Sequence, residues 1–289
     1  MSSIELKQKI VASDSPLISI DQLEKLTGIP GVKCFDVRGT WKTPARALPD
    51  DYAEGHIPGA VFLDWTTHFI DPDEAIDLAS VADLDGAEKS FRSLGINGGD
   101  LVILYDSYHH MHAGRIWWAM RYWGFTDVRV LNGGWNHWLA SNKSVSTDVI
   151  EVASGDFSPQ CQGDWRIGLA DFVDTHAAHG VIDARGPVSF AGTPGDPTTG
   201  HIPGALSLPY SDLIDGETSC FLQPSALIEI FDERVPEWRN SPIITSCGSG
   251  YAATVTLLAL TELGVKAQLF DGSFSVWKQD PNRAIEQSL

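Results

Sequence analysis

Gly55-His56-Ile57-Pro58-Gly59-Ala60 reappears, residue for residue, as Gly200-His201-Ile202-Pro203-Gly204-Ala205. An exact six-residue match within one chain signals an internal duplication, and the flanking sequence extends it. Upstream stand Cys34-Phe35-Asp36-Val37-Arg38-Gly39 and Val181-Ile182-Asp183-Ala184-Arg185-Gly186. Downstream stand the apolar runs Leu101-Val102-Ile103-Leu104-Tyr105-Asp106 and Pro242-Ile243-Ile244-Thr245-Ser246-Cys247. A further pair, Val130-Leu131-Asn132-Gly133-Gly134-Trp135 and Leu269-Phe270-Asp271-Gly272-Ser273-Phe274, closes the pattern. The offset narrows gradually along these landmarks, as expected of one unit copied with small loop changes. The reading is two domains, residues 1–145 and 160–289, with a polar linker around 140–165.

Composition agrees. A chain of 289 residues suits two domains of about 100–200 residues each. With 43% hydrophobic and 20% charged residues, it carries enough apolar material for real cores and too little charge bias for disorder. A net charge of −18 repels polyanions, which excludes nucleic acid and acidic membrane surfaces as partners. The opening Met1 to Ile20 shows no basic stretch followed by a long apolar one, and no apolar run reaches about 18 residues, so a soluble cytoplasmic protein is expected.

Short apolar strands alternate with helix-like stretches in each half. Ala252 to Gly264 is helical by composition, and Ala267 to Phe270 reads as the next strand; Arg115 to Trp123 is the equivalent helix of the first half, its tryptophans facing the core. Strand, turn, helix and strand at this spacing mean an α/β fold around a mainly parallel sheet flanked by helices.

Of the four cysteines, Cys34, Cys161, Cys220 and Cys247, no two have disulfide-framework or metal-ligand spacing. Cys247 stands apart because it ends a strand, where ligands of α/β sheets sit. The small residues Gly248, Ser249 and Gly250, followed by Tyr251 and Ala252, let the backbone curl so that several N–H groups converge on the sulfur. Those amides and the positive end of the following helix stabilise a thiolate. A buried cysteine acting only as a small hydrophobe is the plainer reading. The duplicate argues against it, since Asp106 occupies the equivalent position and that half keeps the scaffold without the thiol.

These residues make the chain resemble the tandem-domain rhodanese-like sulfurtransferases, the thiosulfate and 3-mercaptopyruvate sulfurtransferase family, from about Ser19 to Trp277. The resemblance implies two rhodanese-like domains, the first catalytically inactive, and a six-residue active loop from Cys247 to Ala252. It implies a double displacement, in which Cys247 takes a sulfane sulfur from a small anionic donor and passes it to cyanide, a thiol or a thioredoxin-like acceptor, with no metal or organic cofactor. The Cys-Gly-Ser-Gly start of the loop is similar to that of 3-mercaptopyruvate users, in which Ser249 would hydrogen-bond the substrate or assist proton transfer; a helix-capping turn residue is the alternative. Thiosulfate users carry Arg or Lys within the loop.

The sequence departs from the mercaptopyruvate pattern in three places. Gly186 to Gly200 contains no Arg or Lys, with Ser189 where an arginine is expected; Ser80 to Glu88 contains no histidine; and Tyr251 and Ala252 replace Val and Thr, setting a phenol at the loop's rim. Replacement substrate contacts are expected from Arg115 and His110 in the first half's histidine-rich loop, which also admits readings as a solvated loop or a metal site. Arg185 is a further candidate, although its twin Arg38 argues for local pairing. Two other function classes remain: a sulfur-carrier module loaded by a partner protein, and a phosphatase. The phosphatase lacks its loop arginine, since no Arg follows Cys247 until Arg283.

Overall fold

The computed structural model describes residues 1–76, 78 and 80–288. In the first half, strands β1 (Leu17–Ile18), β2 (Val32–Asp36), β3 (Ala60–Phe62), β4 (Leu101–Tyr105) and β5 (Val128–Leu131) form a sheet in the order β1-β5-β4-β2-β3. In the second half, β6 (Arg166–Ile167), β7 (Gly180–Asp183), β8 (Leu206–Ser207), β9 (Ile243–Ser246) and β10 (Ala267–Phe270) form another in the order β6-β10-β9-β7-β8. The permutation is the same and every pairing in both sheets is parallel. The repeated hexapeptide therefore reports a repeated topology.

Two compact units carry these sheets: Met1–Asp73 with Val81–Gln162 and Glu217–Cys220, and Glu74–Ser80 with Gly163–Gly216 and Phe221–Leu289. Each central strand reads as a continuous apolar run because helices cover both faces of a parallel sheet. All of Leu-Val-Ile-Leu-Tyr in β4 is buried, as is all of Ile-Ile-Thr-Ser in β9. The helices that follow, α1 (Met111–Tyr122) and α3 (Ala252–Glu262), are buried on nearly every side, which explains why α3 is apolar all round rather than on one stripe. Between them in sequence lies α2 (Gly134–Ala140), and α4 (Ser273–Trp277) is its counterpart in the second unit. No described helix is long and apolar enough to cross a membrane.

The Asp-x-Arg tripeptides brace the hexapeptides. Arg38 forks onto Asp36 and its Nη2 also donates to Gly55 O at 2.6 Å; Arg185 forks onto Asp183 and its Nη2 donates to Gly200 O at 2.7 Å. Each arginine thus ties a strand end to the first glycine of the motif. The histidines act alike: His56 Nδ1 meets Tyr52 O at 2.8 Å with its ring stacked on Tyr52, and His201 Nδ1 meets Phe190 O at 2.8 Å with its ring stacked on Phe190. A bidentate ion pair in both copies, whose Nη2 also reaches a loop carbonyl, is a structural brace.

Candidate active site

Cys247 follows β9 directly, and the residue is 2% exposed. Gly250 adopts φ +83°, a left-handed conformation natural to glycine, and this turn aims its N–H at Cys247 Sγ, 3.1 Å away. The backbone of the cysteine is pinned from α4: Phe274 N donates to Cys247 O at 3.1 Å and Ser275 N to Gly248 O at 2.9 Å. Helix α3 begins at Ala252 with no side-chain cap on its first turn, so its leading amides point at the loop and its dipole favours negative charge there. The capping role considered for Ser249 is thus not the one it plays; its hydroxyl makes no hydrogen bond among the described residues and it is half-buried.

The first unit shows what such a loop holds. Asp106 follows β4 where Cys247 follows β9, and it is 1% exposed. One carboxylate oxygen accepts from Tyr108 N at 2.9 Å and His110 N at 3.0 Å, the other from His112 N and Ala113 N, both at 2.9 Å. Four amides converge on one anion at the head of α1. Counted from the strand end, the equivalent amides of the second unit belong to Ser249, Tyr251, Ala253 and Thr254. In the first unit this loop is an anion nest that Asp106 fills with the chain's own charge; in the second, Gly250 N donates to Cys247 Sγ while Thr254 N donates to Tyr251 O at 2.9 Å.

Tyr251 does not stand at the rim: it is 2% exposed, turned inward by the left-handed step at Gly250. The first-unit histidines are not a solvated loop either, since His110 and His112 are buried; the four bonds to Asp106 draw the loop into the fold. His110 Nε2 lies 2.9 Å from Ser219 O, and Arg115, 3% exposed, lays its guanidinium 4.4 Å over the Trp118 ring. Both side chains are buried. No cluster of His, Cys, Asp and Glu fit to hold a metal occurs among the described residues. Cys34 is buried in β2, Cys220 is half-buried, and Cys161 is exposed and so fills no space.

His112 yields a pH prediction. Its ring packs against Trp65 at 4.4 Å and Trp41 at 5.8 Å, and burial, partly opposed by Asp106, lowers its pKa from 6.5 to about 4. Between these values the imidazole is neutral when folded and protonated when unfolded. The unfolded state then binds more protons, so stability is complete above pH 6.5 and falls as pH drops towards 4. The cost is about 3 kcal/mol at the acid end. Urea titrations at pH 7 and pH 4.5 are expected to show a fall that His112→Phe makes shallower; an unchanged slope in that variant would exclude the assignment.

The family model for the rhodanese-like domain matches residues 19–141 and again residues 169–280. The 3-mercaptopyruvate sulfurtransferase of Escherichia coli K12 is 32% identical, over 93% of this chain and 97% of that protein. A putative thiosulfate sulfurtransferase of Mycobacterium tuberculosis H37Rv is 31% identical, over 88% of this chain and 90% of its own length. Among solved structures, the Escherichia coli 3-mercaptopyruvate sulfotransferase SseA superposes with a TM-score of 0.80 at 29% identity, covering 90% of this chain and 98% of that one.

Proposed function

The chain belongs to the rhodanese-like family and is a sulfurtransferase, and from that premise we propose that it moves a sulfane sulfur from 3-mercaptopyruvate through a persulfide on Cys247. What carries this reading is a strand-end thiol that accepts the Gly250 amide, at the position where the duplicate holds a carboxylate in four amides. In the first step the Cys247 thiolate attacks the donor's sulfur. An S–S bond forms, the C–S bond breaks, and its electron pair leaves on the pyruvate carbon, which then takes a proton. In the second, a thiophile such as cyanide attacks the outer sulfur, the S–S bond breaks, and the thiolate returns.

Thiolate, persulfide and departing enolate are all negative, so one set of fixed N–H groups serves each of them without rearrangement. Gly250 N already faces Sγ. By correspondence with the four donors around Asp106, the amides of Ser249 and Ala253 receive the outer sulfur. The Ser249 hydroxyl, half-buried in the loop, is the proton-transfer candidate. Comparison of kcat/KM for 3-mercaptopyruvate and thiosulfate, with cyanide as acceptor, tests the donor; a ratio favouring thiosulfate would overturn it. Negligible turnover of both would favour a sulfur carrier loaded by a partner, the reading supported by the cation-free segment from Gly186 to Gly200.

That segment leaves the donor's carboxylate to be met from elsewhere. In the second unit, Arg166, Arg185, Arg234, Arg239 and Arg283 are all paired with carboxylates. Lys278 is exposed and lies 5.9 Å from the Phe274 ring, over which Arg185 also sits at 4.3 Å; the Phe274 amide in turn holds Cys247 O. Of the unit's two exposed lysines, Lys266 and Lys278, the one beside Phe274 is assigned to the donor's anionic end. Lys278→Gln is expected to raise KM for 3-mercaptopyruvate about fivefold, the factor for an exposed ion contact near 1 kcal/mol, with kcat little changed. An unaltered KM would remove Lys278 from the site.

A further inference from the structure

At Ser273 the two copies differ in how they hold the backbone of the strand-end residue. In the first unit the equivalent residue is Gly134, with φ +56°, where any Cβ would come within 2.3 Å of Asp106 O. Trp135 N donates to Asp106 O at 2.8 Å, and glycine adds no side chain to that contact. In the second unit a serine takes the same left-handed conformation, φ +49°, with its side chain fully buried. A non-glycine residue is disfavoured there, so the serine ought to be a liability. Its hydroxyl, however, accepts the Cys247 N–H at 3.1 Å and donates to Phe270 O at 2.9 Å.

The geometry points to Ser273 as a positioning residue for the nucleophile. With Phe274 N on Cys247 O, the hydroxyl on Cys247 N fixes the two peptide planes that flank the Cys247 Cα, and with them the direction of Cα–Cβ. That direction keeps Sγ on the Gly250 N–H. The bridge from Phe270 O through the hydroxyl to Cys247 N also links the ends of β10 and β9, so the loop is referenced to the rigid sheet. Reacting groups misplaced by a fraction of an ångström lose rate steeply. The strained serine therefore serves the thiol, and the copy without a thiol keeps the relaxed glycine.

The role rests on the sulfur-transfer reading only for its kinetic readout. Ser273→Gly restores the residue of the other copy and relieves the left-handed strain. It is expected to leave the melting temperature unchanged or higher while lowering kcat for 3-mercaptopyruvate about tenfold at nearly constant KM. The pH profile of iodoacetamide alkylation of Cys247 is expected to move to higher pH in the same variant. Ser273→Ala, which keeps the strain and loses the hydroxyl, should match the glycine variant in kcat and alkylation but melt lower. Wild-type kcat and alkylation profile in both variants would overturn the inference. The alkylation measurement needs no turnover, so it decides Ser273 even where wild-type enzyme proves inactive with the donor, an outcome that would overturn the donor reading alone.

Discussion

Cys247→Ser is expected to abolish sulfur transfer, with kcat/KM falling at least about ten-thousandfold. The nucleophile in such chemistry is the thiolate, and a serine hydroxyl stays protonated at neutral pH and forms no persulfide. A ten-thousandfold loss corresponds to about 5.4 kcal/mol of transition-state stabilisation. No other thiol stands in an equivalent place. Cys34 is enclosed in β2, where burial and the neighbouring Asp36 push its thiol far above the ordinary range, so it stays protonated and unreactive. Cys161 is exposed in the segment after the first unit's last helix, and Cys220 lies in a loop. Mass spectrometry after donor treatment should place one added sulfur on the Cys247 peptide. Residual transfer to cyanide in the variant, or a persulfide on Cys34, would defeat the mechanism. Because the hydroxyl nearly matches the thiol in size, the melting temperature should stay close to that of the parent, which separates loss of chemistry from loss of fold.

The fold was legible because its signal is local and repeated. The Gly-His-Ile-Pro-Gly-Ala copies, the Asp-x-Arg strand ends and the apolar runs recur at nearly constant spacing, and the strands predicted at Leu101 and Ala267 begin at those residues. Cys247 was legible for a related reason, since a thiol at a strand end before small residues is a pattern of residue types. Side-chain direction was not. Whether Tyr251 faces out or in depends on the sign of φ at Gly250, and a glycine permits either sign. The loop histidines look solvent-bound by composition, and only the convergence of four amides on Asp106 shows why the chain buries them. Ser273 was invisible for the same cause: a hydroxyl that bridges two strand ends is a tertiary relation, and by residue type it reads as one more turn serine. Arg185, by contrast, was ambiguous in sequence and is anchored in structure by Asp183 and Gly200 O.

Asp106→Ala is expected to be the most destabilising single change in the first unit. Hydrogen bonds to a charged group contribute about 1.5–3 kcal/mol each. Four share this carboxylate, and the alanine leaves their buried donors without an acceptor. His109 and His110 hold φ values of +50° and +64°, a conformation that costs non-glycine residues about 1 kcal/mol or more apiece and persists only while its surroundings impose it. Removing the carboxylate releases that strain and so returns part of the loss. The net fall is about 4 kcal/mol, less than the simple sum because the bonds are not independent. Asp106→Asn separates charge from shape: its carbonyl keeps one pair of donors, but its NH2 faces the His112 and Ala113 amides, so most of the loss should remain. Seven of the ten tryptophans, Trp41, Trp65, Trp117, Trp118, Trp123, Trp135 and Trp138, lie in the first unit. Fluorescence-detected urea unfolding therefore reports on that unit. A midpoint within about 1 kcal/mol of the parent in both variants would mean the nest holds its shape without an anion. Stabilisation of negative sulfur by the Cys247 loop would then have no internal precedent.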